Sequence, residues 1–189
     1  MRSAIIALTI LAAAILPAAA AELSERVAPC LACHGEKGQS ETPEVPSLGA
    51  QMAPYALIQI YLFREKQRVF DVMNEATKGF SDDDLRQVSD FIAKLPAPAP
   101  PGDAGDPKRI EHGRALAGQY RCNICHRPDF AGQENVPRLA AQREDYLVKT
   151  LRDYKSRARV GYDASMAEVL QPISDAEIVD LAYFIARQR

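Results

Sequence analysis

Residues 30–34 of the chain read CLACH, and residues 122–126 read CNICH. Both segments have the pattern C-x-x-C-H, and the second begins 92 residues after the first. The neighbouring sequence repeats with them, because V-P-x-L-x-A-Q-x3-Y occupies residues 45–55 and again residues 136–146. Other matching segments keep an offset between 91 and 93 residues. These matches indicate that one domain has been duplicated with small changes in its loops.

A proline-rich segment divides the two repeats. Residues 96–107 read PAPAPPGDAGDP, and proline in such numbers excludes a helix or a central strand because it fixes φ and lacks the backbone N–H. The composition predicts a stiff, extended linker. It separates a predicted N-terminal domain, residues 22–95, from a predicted C-terminal domain, residues 108–189. A chain of 189 residues is long enough for one domain or two small ones.

The N-terminus has the features of a secretory signal peptide. A basic residue, Arg2, precedes an uncharged apolar run over residues 4–16, and small residues follow. We expect residues 1–21 to be removed by cleavage after Ala20 or Ala21. The alternative is an uncleaved membrane anchor, which the shortness of the run disfavours, since a membrane span needs about 20 apolar residues. The sequence therefore predicts export to the periplasm, an oxidising compartment.

Composition and charge exclude several classes of protein. A net charge of −2 and a pI of about 5.9 are not those of a typical nucleic-acid-binding protein, and the composition is not that of a disordered, collagen-like or coiled-coil chain. The charge is unevenly divided, with −4 over residues 22–95 and +3 over residues 108–189. Five cations of the second half are predicted to lie on one helix. They form either a docking face for an acidic partner or an ordinary solvated helix face. These residues are Lys149, Arg152, Lys155, Arg157 and Arg159.

Each repeat is predicted to be helical, which makes the fold class all-α. Ser81 and Ser174 are each followed three residues later by an acid, a signature of a capped helix start, and apolar residues then recur at helical spacing. No segment favours a sheet. Other helices are predicted at 54–68, 144–159, 23–30 and about 107–120.

The predicted middle helix of the first repeat is apolar on almost every side. Residues 55–63 read YALIQIYLF, and a helix that is hydrophobic all round is normally buried. We hypothesise that its extra face, with Tyr61 and Phe63, covers the other domain or a partner subunit.

The C-x-x-C-H pattern is the attachment signature of c-type haem. Two thiols one helical turn apart can add to the two vinyl groups of a haem, and the adjacent histidine then lies under the iron as its proximal ligand. The sequence thus predicts two haem c groups and their iron. The covalent attachment residues are Cys30, Cys33, Cys122 and Cys125, and the metal ligands are His34 and His126.

Three other uses of four cysteines are less well supported. A pair of disulfides would not require histidine after each pair of cysteines. A zinc site would favour cysteine pairs about 15–20 residues apart, and a thioredoxin-like redox site would need a βαβ context.

Two methionines occupy equivalent positions in the repeats. Met73 and Met166 each lie eight residues before the serine that begins the last helix, and they follow their histidines by 39 and 40 residues. A lone methionine usually fills a core, but the repetition predicts that both are sixth ligands of iron. Met52 has Arg143 as its counterpart and is predicted to be a packing residue.

His112 has no counterpart in the first repeat and precedes the second haem motif. We therefore predict that it is a surface residue of a helix and takes no part in iron ligation.

With these motifs in place, residues 22–189 resemble the di-haem cytochromes c of the c4 family. The resemblance implies two small helical cytochrome c folds in tandem, with haems that face each other across the domain interface. It also implies that the carbonyl of Pro46 accepts a hydrogen bond from the proximal histidine of the first haem. Pro137 would do the same for the second haem, and such bonds fix the orientation of the imidazole.

Three arginines matter for the resemblance: two recur in both repeats, and one replaces a residue that is usual in the family. Arg68 and Arg159 recur at equivalent positions before the methionines, and their repetition predicts contacts with haem propionates. Arg127 stands where the family usually has glycine after the second histidine.

These residues predict a periplasmic carrier of single electrons and not an enzyme. Its redox partners would be a dehydrogenase or cytochrome bc-type donor and an oxidase or reductase acceptor, with transient docking at a membrane complex. One alternative is the cytochrome subunit of a periplasmic dehydrogenase. Another is a di-haem enzyme such as a thiosulfate dehydrogenase or a peroxidase, which would need an iron with an open or labile axial position.

We expect the mature protein to carry two covalently bound haems and no free thiol, because both attachment motifs are intact. Mass spectrometry after acid–acetone extraction measures this directly. A mass that corresponds to one haem or to none would contradict the assignment.

Overall fold

The computed structural model describes residues 18–159 and 164–189, and within these residues it contains helices and no strand. The prediction of an all-α chain is therefore confirmed. Residues 1–17 of the predicted signal peptide lie outside the described part of the chain, and its last four residues belong to the first helix. Among the described residues, no helix combines the length and the apolar character that a membrane span requires.

Residues 18–95, the described part of the first half, contain four helices. A haem motif ends the first helix, a long middle helix follows, and a short helix precedes the last one. They are α1 Ala18–His34, α2 Ala53–Arg64, α3 Asp71–Thr77 and α4 Asp82–Lys94.

The second half repeats this order, but its first helix is interrupted before the haem motif. Arg121 adopts a left-handed backbone conformation, with φ of 55°, and this turn separates the two pieces. The helices described here are α5 Pro107–Gln119, α6 Cys122–His126, α7 Glu144–Lys155, α8 Ser165–Val169 and α9 Asp175–Ala186.

The capped starts of α4 and α9 are confirmed. The Ser81 hydroxyl accepts a hydrogen bond from the Asp84 N–H at 3.2 Å, and the Asp84 carboxylate accepts one from the Ser81 N–H at 2.7 Å. Ser174 and Glu177 make the same pair of bonds at 3.3 and 2.7 Å. Each box satisfies two backbone N–H groups that a helix start would otherwise leave unpaired.

The middle helices are shorter than the sequence predicted. They end at Arg64 and Lys155, because Lys66 and Arg157 have positive φ values of 55° and 61° that turn the chain out of the helix. The predicted ends at residues 68 and 159 were wrong. As a result, the two repeated arginines lie in loops beyond the helices.

Two separate clusters of buried side chains form the core, one in each half. The first joins α1, α2 and α4 through Val27, Ile60 and Val88. The second is larger and joins α5, α7 and α9, with Leu151 and the fully buried Ile178 among its members. Each repeat therefore has a hydrophobic core of its own.

The proline-rich segment is hydrogen-bonded to both halves. The side-chain amide of Gln39 pairs with both backbone groups of Ala99, at 3.1 and 3.3 Å, and Asp103 forms an ion pair with Arg187 at 3.1 Å. Pro107, which was assigned to the linker, is instead the first residue of α5. The domain limits at residues 95 and 108 stay a prediction.

The close crossing of α5 and α9 leads to a stability prediction. A Cβ added at Gly113 would lie 2.3 Å from the Asp180 carbonyl oxygen, whereas one added at Gly118 on the same helix would meet nothing within 4 Å. We expect Gly113→Ala to lower the free energy of unfolding by about 1–3 kcal/mol because the helices are forced apart. Gly118→Ala should raise it by about 0.5–1 kcal/mol through helix propensity.

Chemical denaturation of the haem-loaded protein, followed by far-ultraviolet circular dichroism, measures both changes. Equal stability of the two variants would contradict the assigned crossing.

Candidate haem sites and the interface between the repeats

The four cysteines lie on helical turns that bring each pair to one side. Cys30 and Cys33 belong to the last turns of α1, and Cys122 and Cys125 belong to α6. All four are free thiols in the structure. The first cysteine of each pair is half-buried, and burial raises the pKa of Cys30 and of Cys122. The arrangement places two thiols one turn apart at each site.

Both predicted proximal histidines are buried and held by a proline carbonyl. The distance from His34 Nδ1 to the Pro46 oxygen is 2.8 Å, and that from His126 Nδ1 to the Pro137 oxygen is 3.0 Å. Because a carbonyl only accepts, Nδ1 must be the donor, which leaves Nε2 as the nitrogen with a free lone pair. Burial lowers the pKa of both histidines, although the bond to proline opposes this effect. Each site therefore presents a neutral imidazole in the tautomer that a metal needs.

Different residues fix the proline loop in the two repeats. In the first, the Ser40 hydroxyl donates to the Cys33 carbonyl at 3.1 Å, and the Ser40 backbone N–H donates to the Ser47 hydroxyl at 3.1 Å. In the second, the Gln133 amide donates to the Cys125 carbonyl at 3.0 Å. Both arrangements connect the loop to the turn that carries the cysteines.

The residue after each histidine has a positive φ. Gly35 has φ of 87°, and a Cβ there would lie 2.0 Å from the Gln39 carbonyl oxygen. Arg127 has φ of 71°, a region that glycine prefers. Arg127 therefore has the same sign of φ as Gly35, its counterpart in the first repeat.

Met73 and Met166 lie on equivalent short helices. Met73 is on α3 and Met166 on α8, and both side chains are half-buried. Met166 packs against the core cluster of its own half. Their role as iron ligands stays a prediction.

The two repeats meet through a reciprocal pair of amide contacts. The Gln142 side chain accepts from the Ser47 N–H at 2.7 Å and donates to the Ser47 carbonyl at 2.8 Å. In the opposite direction, the Gln51 side chain accepts from the Arg138 N–H at 2.7 Å and donates to the Arg138 carbonyl at 3.0 Å. Because the members of each pair are equivalent in the repeats, the interface has approximate two-fold symmetry.

A second set of contacts between the repeats is centred on Arg159. Its guanidinium donates to the Tyr55 hydroxyl and to the Gln59 amide oxygen of the first repeat, both at 3.0 Å. It also donates to the Tyr146 hydroxyl of its own repeat at 3.3 Å. Arg68 donates to the same Gln59 oxygen at 2.7 Å. The predicted propionate contacts, Arg68 and Arg159, are thus brought together at the interface.

This arginine cluster has an excess of positive charge. Burial would raise the pKa of Tyr146, but the guanidinium groups of Arg159 and Arg68 lower it to about 7. The Nε atom of the buried Arg159 has no hydrogen-bond partner, and within residues 18–159 and 164–189 no carboxylate pairs with either arginine. Two cations with an unused donor form an environment that favours anionic groups.

The prediction of one basic helix face in the second half is wrong. α7 ends before Arg159, which is buried at the interface. Lys149 pairs with Asp153 on the same helix, and the Lys155 ammonium donates to the Gln171 carbonyl at 3.1 Å. Arg157 also lies beyond the end of α7, so two of the five cations are not on the helix, and docking of an acidic partner there stays a prediction.

The middle helix of the first repeat does contact the other repeat, but not through Tyr61 and Phe63, the two residues that the hypothesis named. α2 contacts the other repeat through Tyr55 and Gln59, whereas Tyr61 is exposed and has Arg64 over its ring. Phe63 is buried and packs under Arg68 within its own half.

The structure also describes the two residues that were predicted not to be iron ligands. His112 is exposed on α5 and lies 2.8 Å from an Asp180 carboxylate oxygen. Met52 is half-buried at the start of α2. Within the described residues, no three His, Cys, Asp or Glu side chains come together as a metal site, so the zinc alternative gains no support.

Sequence reasoning assigned no role to the residues that join the repeats. Gln51, Gln142, Tyr55 and Tyr146 all lie in the repeated V-P-x-L-x-A-Q-x3-Y pattern. Their recurrence was a visible signal. It did not reveal that each glutamine binds the backbone of the other repeat.

Comparison with known proteins agrees with this geometry. A cytochrome c family model matches residues 110–188. The cytochrome c4 of Thiocapsa roseopersicina is 30% identical over 167 residues, which cover 82% of this chain and 85% of that protein. The thiosulfate dehydrogenase electron acceptor of Thiomonas intermedia is 29% identical over 91% of this chain and 84% of that protein. The crystal structure of reduced recombinant cytochrome c4 from Pseudomonas stutzeri has a TM-score of 0.81 at 25% identity and covers 90% of this chain and 98% of that one.

The repeats are therefore tandem cytochrome c-type helical domains. Two thiols and an oriented imidazole in each domain fit haem c, the cofactor that the cytochrome c match implies.

Proposed function

The chain belongs to the cytochrome c4 family of electron carriers, and from this premise we propose that it is a di-haem protein of the periplasm. Haem c supplies a one-electron Fe(II)/Fe(III) couple. We assign its covalent attachment to Cys30 and Cys33 in the first domain and to Cys122 and Cys125 in the second. The observation that carries this proposal is the duplicated site, in which both buried histidines have Nδ1 committed to a proline carbonyl.

His34 and Met73 are the proposed axial ligands of the first iron, and His126 and Met166 those of the second. The methionines are supported by their equivalent places on α3 and α8. A thioether is a soft, neutral ligand and favours Fe(II), so His/Met ligation raises the potential. Full ligation also leaves no position for a substrate, which favours a carrier over an enzyme.

The arginine cluster at the interface is the proposed location of haem propionates. Arg68 and Arg159 approach the same glutamine oxygen from the two domains, and the Arg159 Nε lacks a partner. Carboxylates at this position would neutralise buried positive charge and bring both haems to the interface. An electron that enters one domain could then leave from the other.

The proposed donor is a periplasmic dehydrogenase, and the proposed acceptor is a high-potential oxidase or reductase. Support for the donor comes from the relative named as an electron acceptor of thiosulfate dehydrogenase. A subunit bound permanently to such a dehydrogenase is the alternative.

An apolar patch beside Met73 is the proposed docking surface. Val69, Phe70 and Val72 are 78%, 52% and 64% exposed and occupy three of the four positions before the methionine. Apolar groups of this kind contribute to an interface when a partner removes them from water.

We also propose that residues 1–21 are a signal peptide that is cleaved during export. The proposed domains are residues 22–95 and 108–189.

The axial ligands provide the first test. Met73→Ala or Met166→Ala should open one iron each, lower that haem's potential and admit carbon monoxide or cyanide, while the thioether bonds remain. Wild-type ferric protein should show the near-infrared band of methionine–haem charge transfer and bind these ligands poorly. Optical titration of each variant measures the change.

Met52→Ala is the matched control, because Met52 is also half-buried but has no counterpart in the second repeat. It should leave ligand binding unchanged. Ready binding of carbon monoxide by one haem of the wild type would favour the enzyme alternative for that domain.

The electron-carrier function is tested by mixing the oxidised protein with thiosulfate dehydrogenase and thiosulfate and recording reduction of the haem absorbance. In the double variant Val69→Ser, Val72→Ser we expect the second-order rate to fall about fivefold, the equivalent of ~1 kcal/mol of lost docking energy. Val169→Ser, an exposed valine of the second domain, is the control and should react as the wild type does. A rate that is unchanged in the double variant would rule out this surface.

A further inference from the structure

Each domain contacts the peptide group that orients the proximal histidine of the other domain. The carbonyl of Pro46 accepts from His34 Nδ1 at 2.8 Å, and the N–H of the same peptide group, which belongs to Ser47, donates to the Gln142 oxygen at 2.7 Å. Gln142 is in the second domain, whereas His34 is in the first. One planar peptide unit therefore connects a side chain of one domain to the iron ligand of the other.

The same connection exists in the opposite direction. The Pro137 carbonyl accepts from His126 Nδ1 at 3.0 Å, and the N–H of that peptide group, which belongs to Arg138, donates to the Gln51 oxygen at 2.7 Å. Gln51, Gln142 and Ser47 are all buried. Burial strengthens each electrostatic interaction and keeps water from competing for these groups.

We propose that Gln51 and Gln142 are positioning residues that set the reduction potential of the haem in the opposite domain. The proposal rests on histidine ligation of iron as set out under the proposed function. It assigns to the domain interface a direct effect on each proximal ligand, in addition to holding the two haems near each other.

The physical basis is polarisation along the chain of hydrogen bonds. When the Ser47 N–H donates to Gln142, the peptide group is polarised and its carbonyl becomes a better acceptor, by about 10–30% per bond in condensed-phase estimates. A better acceptor draws the Nδ1 proton of His34 more strongly and raises the basicity of the imidazole as a ligand. A more basic ligand stabilises Fe(III), so contact between the domains lowers both potentials.

The test exchanges each glutamine for methionine, which has a similar length but whose thioether is only a weak acceptor for the peptide N–H. In Gln142→Met the reduction potential of the first haem should rise, and its reduction equilibrium constant should change about two- to fivefold. The potential of the second haem should not change. In Gln51→Met the second haem should shift and the first should not. Spectroelectrochemistry resolves the two potentials, and the Met73→Ala and Met166→Ala variants identify which haem is which.

This reciprocal pattern distinguishes polarisation from simple loosening of the interface. Loosening would move both potentials in both variants, and that outcome would overturn the proposal. A shift confined to the haem of the substituted domain would overturn it as well. Gln142→Asn, which keeps an amide but withdraws it by one methylene, should change the first haem in the same direction.

A measurement on the wild type does not depend on the stability of any variant. In the fully reduced, diamagnetic protein, a through-hydrogen-bond NMR coupling should link the Ser47 amide nitrogen to the Gln142 side-chain carbonyl carbon. Absence of this coupling would refute the inference even if haem content and ligation agree with the proposed function. Absence of haem from the wild type would instead refute the proposed function itself.

Discussion

The hydrogen bond from each histidine Nδ1 to a proline carbonyl is the interaction on which the rest of the structure depends. It fixes the tautomer of His34 and of His126 and leaves Nε2 available for iron. A buried imidazole without this bond would rotate or lose a partner for its N–H, which costs free energy in a low-dielectric environment. The loops after the cysteine turns are built to present that carbonyl, and they do so with different side chains in the two domains.

The domain interface uses the same loops a second time. The peptide group that accepts from the histidine also donates to a glutamine of the other domain, so the residues that orient the ligand also join the domains. Nearby, Arg68 and Arg159 share the Gln59 oxygen, and their charge lowers the pKa of Tyr146. Buried cations are costly unless they are paired. Under the proposed function, haem propionates would supply the anionic groups at this interface and would couple haem binding to domain association.

Duplication explains why two small domains can support such an interface. A helical unit of this size has a limited hydrophobic core, and here each core is built mainly on three helices. The proposed covalent attachment of haem would add a large apolar group to each unit. The reciprocal contacts of Gln51 and Gln142 then arise from one surface that meets its own copy, as in a symmetric dimer, with the two copies on one chain.

The sequence by itself determined the helical class, the duplication and the capped starts of α4 and α9, and it is the source of the predicted haem-attachment residues. These features are local, because capping boxes and C-x-x-C-H act within one helical turn. Only the tertiary structure decided that the middle helices end early, at the positive φ values of Lys66 and Arg157. It also decided that Arg159 is buried between the domains rather than on a basic face, and that each glutamine reaches the backbone of the opposite repeat. These contacts join residues that are about 90 positions apart in the sequence, so they depend on how two folded units dock. A pattern confined to one segment contains no information about that geometry.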